Sequence, residues 1–136
     1  MLNQYLKEIR STSIQKDSMR FRRNIERIGE IMAVEISREL NYKDETVKTP
    51  LGIAPTQVVR DPIVLGTILR AGLPFHQGFL NMYDNAENAF LSAYRRAVVG
   101  RNGKETLEIV SEYLAAPRLE GKTLLLVDPM LATGMS

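Results

Sequence analysis

The longest regular pattern of apolar and polar positions lies between residues 18 and 41. Apolar side chains recur there every three or four residues, at Phe21, Ile25, Ile28, Met32, Ile36 and Leu40. Charged side chains fill much of the remaining sequence, so the pattern predicts an amphipathic helix with one buried face. Asp17 and Ser18 offer N-cap side chains before it, and Asn41 marks its predicted end.

The next twenty residues change in character. Residues 42–61 are rich in Thr and Val, and the segments 46–49 and 56–59 are separated by Pro50, Gly52 and Pro55. β-branched residues favour strands, whereas Pro and Gly interrupt them. We therefore expect a small β-hairpin or an irregular arm.

Two nearly continuous apolar runs, at residues 63–69 and 123–127, predict buried strands of a parallel sheet with helices on both faces. The first run ends in Arg70-Ala71-Gly72 and is followed by a short apolar helix at residues 73–82, in which Gly78 lowers the helix propensity. A strand, a glycine turn and a helix in this order form half of a parallel βαβ unit.

Two further strands are predicted at residues 89–94 and 108–114, joined by a loop at 99–104 that is rich in Gly and charge. No repeat, low-complexity tract or internal boundary interrupts the chain. The pattern as a whole predicts an α/β fold with a mainly parallel sheet flanked by helices and a small β-hairpin arm. Residues 1–136 are expected to form a single domain.

The composition excludes several classes of function but does not identify one. A hydrophobic fraction of 44% in 136 residues can build one core, and a net charge of +2 provides no basic field for nucleic-acid binding. Without cysteine and with a single histidine, the chain excludes disulfides, Cys nucleophiles and Cys- or His-based metal sites. The polar segment 1–10 and the lack of a long apolar run predict a cytoplasmic protein without a signal peptide or membrane span.

The segment from Asp128 to Ser136 follows the last predicted strand, and ligands of α/β sheets collect beyond the carboxyl ends of strands. Backbone N–H groups and hydroxyls suited to a phosphate are offered by Ala132, Thr133, Gly134, Met135 and Ser136. The Asp128 carboxylate, one turn away, can accept hydrogen bonds from two ribose hydroxyls. These groups together suit a sugar phosphate. An ordinary Asp-Pro turn before a linker is the alternative interpretation.

The residues from Val127 to Gly134, with Ser136, closely resemble the phosphoribosyl pyrophosphate loop of uracil phosphoribosyltransferases, where Asp-Pro replaces the paired acids of most relatives. Residues 68–73 look like the pyrophosphate-contacting turn of this type I phosphoribosyltransferase family. Tyr94-Arg95, followed by residues 105–108, is similar to its arginine-bearing segment. The resemblance spans residues 14–136.

Two features depart from the family pattern. Met135 stands where the family commonly has Gly, and residues 96–104 look like a slightly longer insertion. The family also continues beyond the position of Ser136 through a segment that recognises uracil. The resemblance therefore implies that a C-terminal portion is missing here and that a chain ending at Ser136 would be inactive.

The resemblance implies transfer of phosphoribose from 5-phospho-α-D-ribose 1-diphosphate (phosphoribosyl pyrophosphate) to uracil, giving UMP and diphosphate in pyrimidine salvage. It assigns catalysis to Arg70, Arg95 and Asp128, although Arg95 by local sequence alone fits a solvated loop. Substrate binding is assigned to these three and to Pro129, Met130, Leu131, Ala132, Thr133, Gly134, Met135 and Ser136. Mg²⁺ is expected on the substrate diphosphate, with no protein metal ligand. A homo-oligomer, dimer or tetramer, without nucleic acid or membrane, is expected.

Three alternatives accompany this hypothesis. The first is a regulatory protein of the same fold that binds RNA as an attenuator. The Asp128-Pro129 pair disfavours it, because the loop of such proteins resembles the version with two adjacent acids. A transferase for another base such as adenine shares the Ala-Thr-Gly loop. His76 could be a general base, but a lone histidine in a short apolar helix is more often packed or on the surface.

Overall fold

The computed structural model describes residues 1–99 and 105–130, and the side chains of residues 1–92 and 113–130. This described part contains three α-helices: α1 (Leu2–Arg10), α2 (Ser18–Ser37) and α3 (Leu73–Leu80). A short 3-10 helix at Ile14–Lys16 links the first two. The strands are β1 (Tyr42–Thr49), β2 (Gly52–Val59), β3 (Ile63–Leu69), β4 (Glu87–Val99), β5 (Glu105–Ala115) and β6 (Thr123–Val127).

The described strands form two separate sheets. Four of them pair in the order β5-β4-β3-β6, with β3 parallel to both β4 and β6 and with β4 antiparallel to β5. The other two, β1 and β2, pair as an antiparallel hairpin whose turn lies at residues 50 and 51. The predicted α/β fold, the parallel βαβ unit and the hairpin arm are thereby confirmed.

The hydrophobic core lies between the four-stranded sheet and helices α2 and α3. Its buried members come from both helices and from the central strands: Ile25, Ile28, Ala33, Leu65, Phe75, Phe79 and Val127. The rings of Phe75 and Phe79 meet edge to face, 5.2 Å apart. The predicted apolar face of α2 is therefore the face that covers the sheet.

Helix α1 was not predicted, although its apolar residues also recur every three or four positions. Leu2, Tyr5, Leu6 and Ile9 pack against the core. A polar contact fixes it to α2, because the fully buried Asn24 donates a hydrogen bond of 2.7 Å from Nδ2 to Oε2 of Glu8. This bond is the main cause that lowers the pKa of Glu8. The N-terminal segment thus covers the core.

The predicted end of the long helix at residue 41 is wrong by four residues. Asp17 caps its start as expected, accepting a bond of 3.0 Å from the backbone N–H of Arg20. At the other end, the Ser37 hydroxyl donates to the carbonyl of Val34 at 2.6 Å, and the carbonyl of Ser37 accepts from the Tyr42 hydroxyl at 2.9 Å. These bonds turn the chain into β1. Helix α3 likewise ends at Leu80, two residues before its predicted end.

Strand β6 has one face packed on the core and one face that the described helices leave uncovered. Leu125 and Val127 face the core, whereas Leu124 and Leu126 are 44% and 65% exposed. Side chains alternate along a strand, so these two leucines lie on the face opposite α2 and α3. No described helix covers them there. The apolar run predicted the strand correctly, and within the described residues helices cover one of its two faces.

Candidate functional site

The candidate site lies where β3 and β6 end. The two strands are parallel neighbours, with Thr67 paired to Val127, so the residues after both strands emerge at one edge of the sheet. Arg70 follows β3 there and Asp128 follows β6. The structure therefore brings together two of the three predicted catalytic residues, which are 58 positions apart in sequence.

The turn after β3, Arg70-Ala71-Gly72, is held by backbone bonds on both sides. The N–H of Gly72 donates to the carbonyl of Ile68, and the N–H of Leu73 donates to the carbonyl of Arg70, each at 3.3 Å. The Leu69–Arg70 peptide bond is cis. Gly72 is buried, and a Cβ there would lie only 2.6 Å from Cγ2 of Thr67. The turn accordingly rests directly on the end of β3.

Arg70 itself points away from the packed interior and is exposed. Among the side chains of residues 1–92 and 113–130, no carboxylate lies within ion-pair distance of its guanidinium. By contrast, Arg60 is paired with Asp61 at 2.9 Å. The cation at this edge can therefore meet an anionic ligand without first breaking an ion pair among those side chains.

Asp128 is half-buried at the start of the next turn. Its Oδ1 accepts a hydrogen bond of 3.2 Å from the backbone N–H of Met130, which orients the carboxylate. Oδ2 accepts no hydrogen bond from the described residues and can receive ligand hydroxyls. Pro129 is half-buried and Met130 is 71% exposed.

The remaining predicted site residues lie outside the described part. They are the side chain of Arg95, whose backbone pairs with Ile109 between β4 and β5, and all of Leu131, Ala132, Thr133, Gly134, Met135 and Ser136. Their roles stay predictions.

A cavity of about 880 Å³ adjoins the Arg70 turn. Most of its lining is apolar and comes from α1, α2, the start of α3 and the turn after β6: Leu6, Ile9, Phe21, Ile25, Leu73 and Met130. Arg10, Arg22 and Arg70 add cationic groups to the lining. The contribution of α1 was missed because that helix was not predicted. Its 3–4 spacing of apolar residues was the available signal.

His76 is a packed residue and not a free general base. It is 5% exposed, with Nδ1 2.6 Å from the Thr67 hydroxyl and Nε2 2.8 Å from Oδ1 of Asn88. Burial lowers the pKa of His76, and the bond to Asn88 offsets part of that shift. Both ring nitrogens have protein partners, so the arrangement offers no free nitrogen for a general base.

No helix among the described residues is both long and apolar enough to cross a bilayer. Their His, Asp and Glu side chains form no group of three that could hold a metal ion.

Comparison with known proteins supplies the family. The family model described as uracil phosphoribosyltransferase matches residues 1–136. A uracil phosphoribosyltransferase of Porphyromonas gingivalis is 52% identical over 136 residues, which is all of this chain and 61% of that protein. One from Methanothermobacter thermautotrophicus is 38% identical over 120 residues, or 87% of this chain and 53% of the relative.

A solved structure shows a similar fold. The AQ2163 protein from Aquifex aeolicus superposes with a TM-score of 0.78 and is 26% identical, covering 98% of this chain and 60% of its own. The chain thus spans about 61% of the length of the Porphyromonas relative and a similar share of the Aquifex structure.

Proposed function

Because the chain belongs to the uracil phosphoribosyltransferase family, we propose that the protein transfers phosphoribose from phosphoribosyl pyrophosphate to uracil, giving UMP and diphosphate in pyrimidine salvage. The observation that carries this proposal is the shared edge of β3 and β6, where Arg70 and Asp128 emerge together. A cation without a described ion-pair partner suits the diphosphate, and an oriented carboxylate suits the ribose.

The proposed reaction is a dissociative displacement at C1 of the ribose. Negative charge grows on the leaving diphosphate as its bond to C1 breaks, so guanidinium groups that meet it lower the barrier. Arg70, together with Arg95, has this role in the proposal. Asp128 holds the two ribose hydroxyls, while residues 132–136 bind the 5′-phosphate. No covalent intermediate with the protein is required.

Magnesium belongs to this proposal as a companion of the substrate. The described residues contain no group of three His, Asp or Glu side chains that could hold a metal ion, and protein-bound Mg²⁺ usually takes further oxygen ligands from substrate phosphates and water. The residues present therefore fit an ion that is bound mainly through the diphosphate. When bound there, it would neutralise charge on the leaving group.

We also propose that the protein is a cytoplasmic homo-oligomer, a dimer or tetramer. The hairpin of β1 and β2 supports the oligomer, because an isolated two-stranded hairpin is only marginally stable in water. Its apolar side chains are uncovered, with Val47 47%, Ile53 78% and Leu51 fully exposed. A second copy of the chain would cover this surface.

The proposed function is tested by supplying the full-length protein with phosphoribosyl pyrophosphate, Mg²⁺ and one of several bases. We expect UMP from uracil and no nucleotide from adenine. Formation of AMP instead would assign the alternative base. Absence of any nucleotide, combined with salt-sensitive RNA binding, would favour the regulatory alternative.

Replacing Asp128 with asparagine is expected to weaken use of phosphoribosyl pyrophosphate. Asparagine keeps a carbonyl oxygen for the Met130 N–H but removes the charge and one acceptor from the ribose. We expect kcat/KM for phosphoribosyl pyrophosphate to fall roughly tenfold or more, as for loss of a hydrogen bond to a charged group. Steady-state kinetics of the full-length protein measure this.

The matched control is Asp84→Asn, which changes an exposed aspartate between α3 and β4, at the edge where the parallel strands begin. It should leave the kinetics unchanged. Equal kinetics for both variants and the unmodified protein would show that Asp128 does not bind the ribose.

A further inference from the structure

A series of hydrogen bonds, buried at Thr67 and His76 and ending at the exposed Asn88, connects three elements behind the Arg70 turn. Thr67 lies on β3, His76 on α3 and Asn88 on β4. The imidazole of His76 spans them, with 2.6 Å from Nδ1 to the Thr67 hydroxyl and 2.8 Å from Nε2 to Oδ1 of Asn88. No role in the proposed reaction has yet been given to these residues.

The proton positions in this series of hydrogen bonds follow from the groups at its two ends, the Thr67 hydroxyl and Oδ1 of Asn88. Oδ1 of Asn88 is an acceptor, so Nε2 of His76 must carry the proton and donate. Nδ1 is then the acceptor, and the Thr67 hydroxyl donates to it. Thr67 is 1% exposed and His76 5% exposed, so water has little access to the bond between them, whereas Asn88 is exposed and its bond to Nε2 is only partly buried. The neutral ring with its proton on Nε2 is the form that satisfies both partners.

Thr67 and His76, which are hydrogen-bonded to each other, enclose the turn that carries Arg70. Thr67 lies three residues before Arg70, and its Cγ2 occupies the space beside Gly72 that a Cβ would need. On the other side, the backbone N–H of His76 donates to the carbonyl of Gly72 at 2.8 Å. The turn is therefore held between Thr67 and His76, and the bond between their side chains closes the enclosure.

We infer that the Thr67–His76–Asn88 chain is a positioning device that fixes the 70–72 turn so that Arg70 meets the diphosphate. His76 and Thr67 touch no substrate in this inference and act through the turn. The inference rests on the proposed function for the identity of the anion. A misplaced cation loses most of its effect on a phosphate, because such contacts depend on distances of about 3 Å.

Thr67 offers a matched pair of substitutions. Thr67→Val keeps the shape and the methyl group beside Gly72 but removes the hydroxyl, whereas Thr67→Ser keeps the hydroxyl and removes the methyl group. We expect Thr67→Val to raise the Kd for inorganic diphosphate, measured by calorimetry with Mg²⁺ on the full-length protein, about tenfold. Thr67→Ser should stay close to the unmodified protein.

Kinetics and a double variant separate positioning from simple loss of stability. In the transfer reaction, Thr67→Val should raise KM for phosphoribosyl pyrophosphate and lower kcat while leaving KM for uracil unchanged. His76→Phe, which keeps a ring without nitrogens, should have the same effects. Both variants break the Thr67–His76 bond, and His76→Phe also loses the bond to Asn88, so combining them should cost little more than His76→Phe alone. Urea unfolding of each variant confirms that the assays are made on folded protein.

The tautomer provides a readout that does not depend on activity. Nitrogen NMR should show the His76 ring protonated at Nε2 and unprotonated at Nδ1, with the signal assigned by its loss in His76→Phe. A ring protonated at Nδ1 would overturn the inference. Equal diphosphate affinity of Thr67→Val and Thr67→Ser would also overturn it, since packing alone would then explain these residues.

Failure of the proposed function has a different signature. If the unmodified protein binds diphosphate and makes no UMP, the proposed transfer reaction is wrong. The positioning role is then still tested by comparing the diphosphate affinities of Thr67→Val and Thr67→Ser. If the unmodified protein binds no diphosphate, the positioning inference is wrong even if UMP forms.

Discussion

Replacing Arg70 with alanine is expected to lower kcat/KM of the full-length protein for phosphoribosyl pyrophosphate by about 10²-fold or more. Arg70 follows a buried strand, is exposed at the edge shared with Asp128, and has no carboxylate partner among the described side chains. Its guanidinium can therefore meet the charge that develops on the diphosphate. Removing it takes away an interaction that is strongest in the transition state, so kcat should fall as well as affinity.

Two further variants sharpen this prediction. Arg70→Lys keeps a positive charge but loses the planar fork of donors, so partial activity is expected. Arg60→Ala is the control, because that arginine is equally on the surface but is paired with Asp61 before the start of β3. It should leave turnover unchanged. An Arg70→Ala protein with full activity would remove Arg70 from the mechanism.

Replacing Gly78 with alanine is expected to lower the free energy of unfolding by about 3 kcal/mol, the upper range for overpacking a core. Helices α2 and α3 approach each other so closely that a Cβ on Gly78 would overlap the carbonyl oxygen of Glu26. It would also lie 2.9 Å from the backbone nitrogen of Glu30. Both obstacles are backbone atoms, so the helices themselves must move apart. Urea unfolding measures the change.

Gly66→Ala is the matched control for this effect. A Cβ at Gly66 would lie 3.1 Å from Cδ1 of Leu124, the end of a flexible side chain that is 44% exposed. That side chain can rotate away, so we expect a cost below about 1 kcal/mol. If Gly78→Ala were as stable as Gly66→Ala, the close helix contact would be wrong. Alanine is otherwise the better helix residue by about 1 kcal/mol, so destabilisation at Gly78 cannot come from propensity.

The helix contact also matters for the site. Gly29 completes it from the α2 side, where a Cβ would lie 2.6 Å from the carbonyl oxygen of Phe75. Helix α3 begins directly after the Arg70 turn, so its placement on α2 determines where that turn lies. Gly78 was expected only to weaken a helix. In the fold it allows the helix to pack where it does.

Local sequence predicted those features that depend on neighbouring residues. The apolar runs of β3 and β6 predicted both strands with their observed limits, and Asp17 was correctly expected to cap α2. The strand-end rule predicted a ligand site directly after β6, and the pairing of β3 with β6 then placed Arg70 at the same edge, because parallel neighbours have their carboxyl ends on the same side. Helix ends were less accurate, because Ser37 and Tyr42 stop α2 through bonds that periodicity does not include.

The sequence by itself determined the family and the α/β class, because strand periodicity, turn residues and motif spacing are properties of contiguous residues. Only the tertiary structure decided the helix contact at Gly78, the cavity wall from α1 and the bonding of His76. Each of these joins residues from separate elements, and pairwise packing distances are not encoded in local pattern. Thr67 and Asn88 carry no motif, yet the fold places both on one imidazole behind the turn that carries Arg70.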